Sequence, residues 1–262
     1  MTNIQHPAVA GLFYPTDPTE LRKQVLAFLG AGQANRGPAP KALIAPHAGY
    51  TYSGPAAGHA YAQLQTVADQ IHHVVILAPA HRMAFNGLSY SSATLFRTPL
   101  GDLEVDLAAL EKINSLPQVH LLDDAFKGEH SLEVHLPFLQ IALAEIKITP
   151  LLVGNAQAEE VAEVLELLWG GEETLIIISS DLSHFLEYSK AQAIDAKTTQ
   201  AIEELKPDAI SHHQACGRIP ICGLLLAAKK HHLTTTTLAL CNSGDTAGSR
   251  DRVVGYGAYA FI

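Results

Sequence analysis

The feature that most constrains this chain is a set of short, β-branched apolar runs, each closed by turn residues and followed by a segment of helical period. ALIA (42–45), HVVILA (73–78), ITPLLVG (148–154) and TLIII (174–178) have the length and composition of fully buried strands. Between them, helical spacing predicts helices over 54–65, 102–115, 131–146, 158–169, 189–205 and 219–231. Two further apolar segments, 233–241 and 252–262, read as late strands pairing antiparallel, and 87–101 as an added hairpin. Strand–helix alternation in this order predicts a three-layer α/β/α fold around a mostly parallel, mixed central sheet. The 262 residues fit one such domain, spanning 1–262. Residues 1–40 would form an N-terminal arm: a short helix over 18–29 and a linker-like GAGQANRGPAP (30–40).

Composition narrows the function classes. Hydrophobic residues make up 48% and charged residues only 16%, which suits a sheet covered on both faces. Net charge is −9 and no run of Lys or Arg exceeds a pair, so the grouped cations that hold a phosphate backbone are missing and a nucleic-acid partner is not expected. The three cysteines form no CxxC pair, which argues for a reducing compartment. No signal-peptide pattern opens the sequence and no apolar run reaches membrane-spanning length, so a soluble, cytoplasmic protein is expected. GxSxG, P-loop and GxGxxG signatures are absent.

In open parallel sheets, ligands bind beyond the carboxyl ends of the strands. Here those ends deliver histidine repeatedly: His47 after ALIA, His81 after HVVILA and His184 after TLIII and SSDLS. Three neutral imidazoles at equivalent positions predict a shared site for a divalent metal, with Fe(II), Zn(II) or Cu all suited. His184 is also placed to act as an acid or base, since histidine titrates in the useful range. Taken singly, a strand-end histidine is more often a hydrogen-bonded structural residue; the convergence of three changes the reading.

GEHSLEVHLP (128–137) looks like a metalloprotease motif and is not one. His130 and His135 stand five residues apart, about 140° around a helix, whereas HExxH needs i and i+4 on one face. Ser131 before acidic residues suits a helix N-terminus. Glu129 and His130, just ahead of it, are expected in the pocket as catalytic groups, and His135 as structural. Tyr50, Asp181 and Arg218 are expected on its substrate-binding side: the first leads into a helix whose N-terminus can hold an anion, the second ends a strand, and the third starts a helix. The histidine pairs 72/73, 212/213 and 231/232 read as solvated.

Together AGLFYP, APHAGYTYSGPAAGHAY, EHSLEVHLPFLQ, ISSDLSHF, CGRIPI, NSGD and VVGYGA resemble the Memo family, which includes the proteins called AmmeMemoRadiSam system protein B. The resemblance runs from residue 10 to 262. It implies a fold like the class III extradiol ring-cleaving dioxygenases, which hold non-haem Fe(II) with two histidines and a carboxylate. His47 and His81 then match the core ligands, and His184 the acid/base histidine. The resemblance implies, from the family's animal member, a cysteine completing the site shortly before the last strand, expected here near Ala247 or Gly248. Asp245 and Cys241 are the nearby alternatives as third ligand. The resemblance implies an iron-dependent oxidoreductase acting on a small or peptide-borne substrate. A non-catalytic peptide- or metabolite-binding module and a metal-dependent hydrolase are the competing readings. It also implies a pathway shared with AMMECR1-like and radical-SAM proteins.

Overall fold

A computed structural model describes residues 3–32 and 38–262; five residues of the linker-like stretch, 33–37, lie outside it. In chain order the strands are β1 (Ile4–Gln5), β2 (Ala42–Ala45), β3 (His73–Pro79), β4 (Leu88–Tyr90), β5 (Leu95–Thr98), β6 (Gly101–Val105), β7 (Val119–Leu121), β8 (Lys147–Val153), β9 (Thr174–Ser179), β10 (His184–Leu186), β11 (Thr235–Asn242) and β12 (Val253–Phe261). The helices are α1 (Pro18–Ala31), α2 (Tyr50–Ala62), α3 (Leu107–Ile113), α4 (Leu136–Ala142), α5 (Ala158–Leu168), α6 (Tyr188–Glu203) and α7 (Arg218–Lys230).

Every residue of β2 and β9 is buried, as strands covered on both faces must be. The parallel core runs β6-β8-β3-β9-β2, and β12 joins β2 antiparallel to carry β10 and β11. Helices α1, α2 and α4 pack together on one side; α3, α5 and α7 form the other layer, with α6 joined to α7 through the turn Pro207–Ala209. The three-layer α/β/α architecture is therefore as its alternating pattern predicts. Strands β2 and β3, consecutive in the core, lie on opposite sides of β9. Their following loops thus diverge across its carboxyl end and open a crevice there.

Several elements differ from the sequence expectation. Residues 102–115 are not one helix: β6 takes the first part and Asp106 caps α3 by accepting from the Ala109 amide. Leu103 and Val105 are buried while Asp102 and Glu104 are exposed, a period of two that overrides the helical reading. The hairpin is β5–β6, turning at Thr98–Gly101, rather than one unit over 87–101; β4 instead pairs with β8 and β7. The helix expected over 131–146 shrinks to α4 behind a short 3-10 turn, Glu133–His135. Ser131 does not cap it, because its hydroxyl donates to the Pro79 carbonyl instead. The N-terminal arm is built into the fold: β1 pairs with β5 and α1 packs on α2.

Candidate metal centre

The crevice is assembled by a chain of hydroxyls that ties three strand ends together. Ser131 Oγ donates to Pro79 O at 2.7 Å, at the end of β3. Ser179 Oγ, ending β9, donates to Ser131 O at 2.6 Å. His47 Nδ1, after β2, lies 2.6 Å from the same Ser179 Oγ. The Ser179 hydroxyl has a single hydrogen, already given to Ser131, so it accepts from His47 Nδ1–H. This fixes the tautomer and leaves the His47 Nε2 lone pair free.

His81, after β3, is fixed in the same manner by a carboxylate. Glu129 Oε2 accepts the His81 amide at 2.5 Å, and Oε1 lies 3.2 Å from His81 Nδ1. The amides of His130 and Ser131 add donors at 2.9 and 3.0 Å. Burial pushes Glu129 up, but the His81 ring and the amides of Ser131 and His81 outweigh it and hold its pKa at about 2. A carboxylate so held requires N–H at His81 Nδ1, so His81 Nε2 is the free nitrogen. A histidine whose other ring nitrogen is held by carboxylate or hydroxyl is the arrangement of metal-ligating imidazoles.

Among the described residues, the ligand atoms that close to within 4.8 Å of one another are those of His47, His81 and Cys216, and those of His81, Glu129 and His130. Cys216 precedes α7 and puts Sγ 3.4 Å from His47 Nε2. Burial and the neighbouring histidines hold His47 well below its ordinary pKa, so it is neutral. Burial lowers His130 and His184 as well. Burial, with the Asp181 charge, pushes the Cys216 thiol up to about 12.

The matching family model, Memo-like protein, covers residues 5–260. The chain belongs to the Memo family. A MEMO1 family protein of Aquifex aeolicus is 34% identical over 99% of both chains. One from Sulfolobus acidocaldarius is 34% identical over 97% of both. Among solved structures, an uncharacterized protein from Escherichia coli K12 aligns with a TM-score of 0.49 at 14% identity, over 82% of this chain and 98% of its own.

For this Memo-family chain the structure brings some of the expected residues together and separates others. His47 and His81 meet, while His184 does not join them in a set within 4.8 Å. It is half-buried and near enough to lower the proton affinity of His47. Its Nδ1 lies 2.8 Å from the Leu182 carbonyl and donates to it, which leaves Nε2 as an acceptor. His130 stacks on His81 with ring centroids 5.2 Å apart and meets Phe13 edge-on. Tyr50 is turned away from the pocket: it is buried, and its hydroxyl donates to Val134 O at 2.7 Å. Asp181 is also buried, accepting the amide of His47 at 2.8 Å rather than facing a substrate; burial, against the amides of His47 and Ala48, raises it to about 7. Arg218 lies beside the Cys222 thiol, on the α7 side that meets the turn Pro207–Ala209. Neither Asp245 nor Cys241 enters a ligand set among the described residues. Asp245 instead accepts from Tyr188 and from the Asn242 amide. Two histidines expected to be solvated have partners: His73 pairs with Asp106 at 2.7 Å, and His231 with Glu166 at 3.1 Å while stacking on Trp169.

Sequence reasoning missed Cys216. Its signal was faint: a cysteine followed by glycine in the loop that opens α7, one more element start at the same end of the sheet. Two imidazoles with committed Nδ1 protons, plus a sulfur, form a donor set that fits a first-row divalent ion. No helix among the described residues is long and apolar enough to cross a membrane.

Proposed function

We propose that this protein binds one divalent metal ion between His47 and His81 and uses it to oxidise a small or peptide-borne substrate, with O₂ as the oxidant. The observation that carries this reading is the pair of fixed tautomers: Ser179 and Glu129 each occupy a ring Nδ1, so both Nε2 atoms are left as ligands within one crevice. Fe(II), the ion the resemblance to class III dioxygenases favours, would supply Lewis acidity and one-electron chemistry when bound. The chain's own part is to hold, shape and move protons. His47 and His81 hold the ion. The His130 ring stacks on His81 and is backed edge-on by Phe13, which would hold that side of the crevice in place. His184, with Nδ1 committed to Leu182 O, takes a proton at Nε2 from a substrate hydroxyl.

The test is metal content and oxygen uptake after anaerobic isolation and Fe(II) loading. One equivalent of iron should be retained and should support oxygen consumption with a turned-over substrate. His47→Ala and His81→Ala should each lose the iron while keeping the circular dichroism of the parent. Negligible retention by folded parent protein overturns the reading. A second reading, a binding module that keeps the pocket without turnover, draws on the composition of the His47–His81 set, which carries a sulfur where dioxygenases carry a carboxylate. Ligand binding that is indifferent to added metal, without oxygen uptake, would favour it.

A further inference from the structure

We propose that Lys41 is the reactive amine of a second ligand site, at the amino end of the sheet, where it condenses with a small neutral aldehyde to form an imine. The site lies away from the metal crevice and stands whether or not an ion binds there.

Its cavity, of about 630 Å³, is walled by segments that precede β2, β3, β9 and β11. These are the amino ends of the strands, opposite the ends that carry His47 and His81. Pro40, Val67, Trp169 and Leu233 make its walls apolar, and Lys41 is the amine among the described residues that line it. Trp169 is fixed in place: His231 stacks on its ring with centroids 3.9 Å apart, and Glu166 holds His231 Nε2 at 3.1 Å. Lys41 Nζ stands 5.5 Å from the centroid of the same indole.

Backbone groups hold Lys41 at both ends. Its amide donates to Phe261 O at 2.8 Å and its carbonyl accepts from Ile176 N at 3.1 Å, so β12 and β9 pin its main chain. Its Nζ donates to Gly171 O and Thr174 O at 2.8 and 2.9 Å. Gly170 lets that loop close up, with a φ of +59° and no room for a Cβ, which would come within 2.1 Å of Thr174 Oγ1. A neutral amine has two hydrogens, and the two carbonyls accept both, so the lone pair is the position left over on nitrogen. The Glu173 carboxylate is bonded elsewhere, to the Gly171 amide and the Thr174 hydroxyl at 2.8 and 2.9 Å. Burial pushes the Lys41 amine down to about 8 against the pull of the Glu173 charge. About half of it is then neutral at pH 8, where an ordinary lysine is neutral in about one molecule in 300. Desolvated lysines of this kind act as nucleophiles toward carbonyls.

The surroundings set the class of ligand. Glu172 on the wall and the Glu173 charge disfavour an anionic partner, and the apolar walls favour a hydrocarbon body. The Nζ lone pair attacks the aldehyde carbon and a C–N bond forms. The carbonyl oxygen then leaves as water with both hydrogens of the amine, and a C=N bond remains; nothing is oxidised or reduced. A proton from solvent converts the imine to an iminium, whose single N–H retains one of the two carbonyl bonds.

Butanal is the probe, with cyanoborohydride to trap the imine as a secondary amine at pH 8. Peptide mass spectrometry of the parent protein should find the butyl group on Lys41 at a rate at least about tenfold above that of any other lysine; Lys127, whose pKa Asp124 raises, is the slow comparator. The rate should saturate with butanal. Trp169 is the chain's only tryptophan, so its emission reads this cavity and should shift to the blue over the same concentrations as water is displaced. Lys41→Arg, which keeps donors for both carbonyls, should retain the parent's circular dichroism and lose the fast, saturable phase of labelling. A rate at Lys41 no higher than at exposed lysines overturns the proposal. So does a rate that never saturates, or a Trp169 emission that never moves.

Discussion

At the scale of single residues, the crevice is shaped by groups whose task is to hold other side chains in place. Glu129 accepts from the His81 ring and from three backbone amides, those of His81, His130 and Ser131. With its pKa at about 2, it stays ionised throughout the physiological range and has no proton to trade. The catalytic part expected of it from sequence thus becomes a positioning part: it fixes the orientation of the His81 ring. Glu129→Gln should keep the backbone hydrogen bonds that an amide oxygen can accept while removing the negative charge. Metal affinity, measured by chelator competition, should fall by about 10–100-fold with little change in melting temperature. Glu129→Asp should recover part of it. Unchanged affinity in Glu129→Gln would remove Glu129 from the account. His47 shows the complementary economy, with a serine hydroxyl performing the orienting task in a wholly buried setting.

At the scale of elements, the ligand loops are held by contacts between pieces remote in sequence. Gly217 is the sharpest case, because its φ of −88° is open to any residue and only space forbids a side chain. Gly217→Ala should therefore fold but lift the loop from β9. The expected result is a lower melting temperature together with weaker metal binding, measured by chelator competition. A variant with unaltered metal affinity would show that the close approach has no bearing on the site. The same remoteness explains what could be read from the sequence. His47 and His81 were legible because each directly follows an obvious buried strand, and the carboxyl-end rule brings such positions together. Cys216 was not, because it lies 169 residues from His47 and enters from a helix-opening loop with no ligand spacing around it. His184, expected as a ligand, stands outside the sets that close to within 4.8 Å; β10, which it opens, pairs with β12 through an irregular register, and Phe185 takes a left-handed φ of 58°. Tyr50 was misplaced because α2 begins four residues earlier than its apolar period suggested, which drives the ring into the core. The 3-10 turn at Glu133–His135 escaped for a different reason. Glu133 is held by the amides of Ala8 and Val9 and the Tyr14 hydroxyl, a clasp on the N-terminal segment that no local pattern announces.

At the scale of the whole molecule, the layered sheet serves as a device for convergence. Strands β2 and β3 flank β9, and the hydroxyl chain from Pro79 through Ser131 and Ser179 to His47 locks their ends into one unit. The core strands that make this possible are buried on both faces, so the crevice rests on fully packed elements. Anomalous diffraction tests the central claim most directly. Crystals grown anaerobically with Fe(II) and measured at the iron absorption edge should show a single strong peak about 2.1 Å from both His47 Nε2 and His81 Nε2. A peak at another histidine–carboxylate pair, such as His73 with Asp106, and none in the crevice would contradict the account.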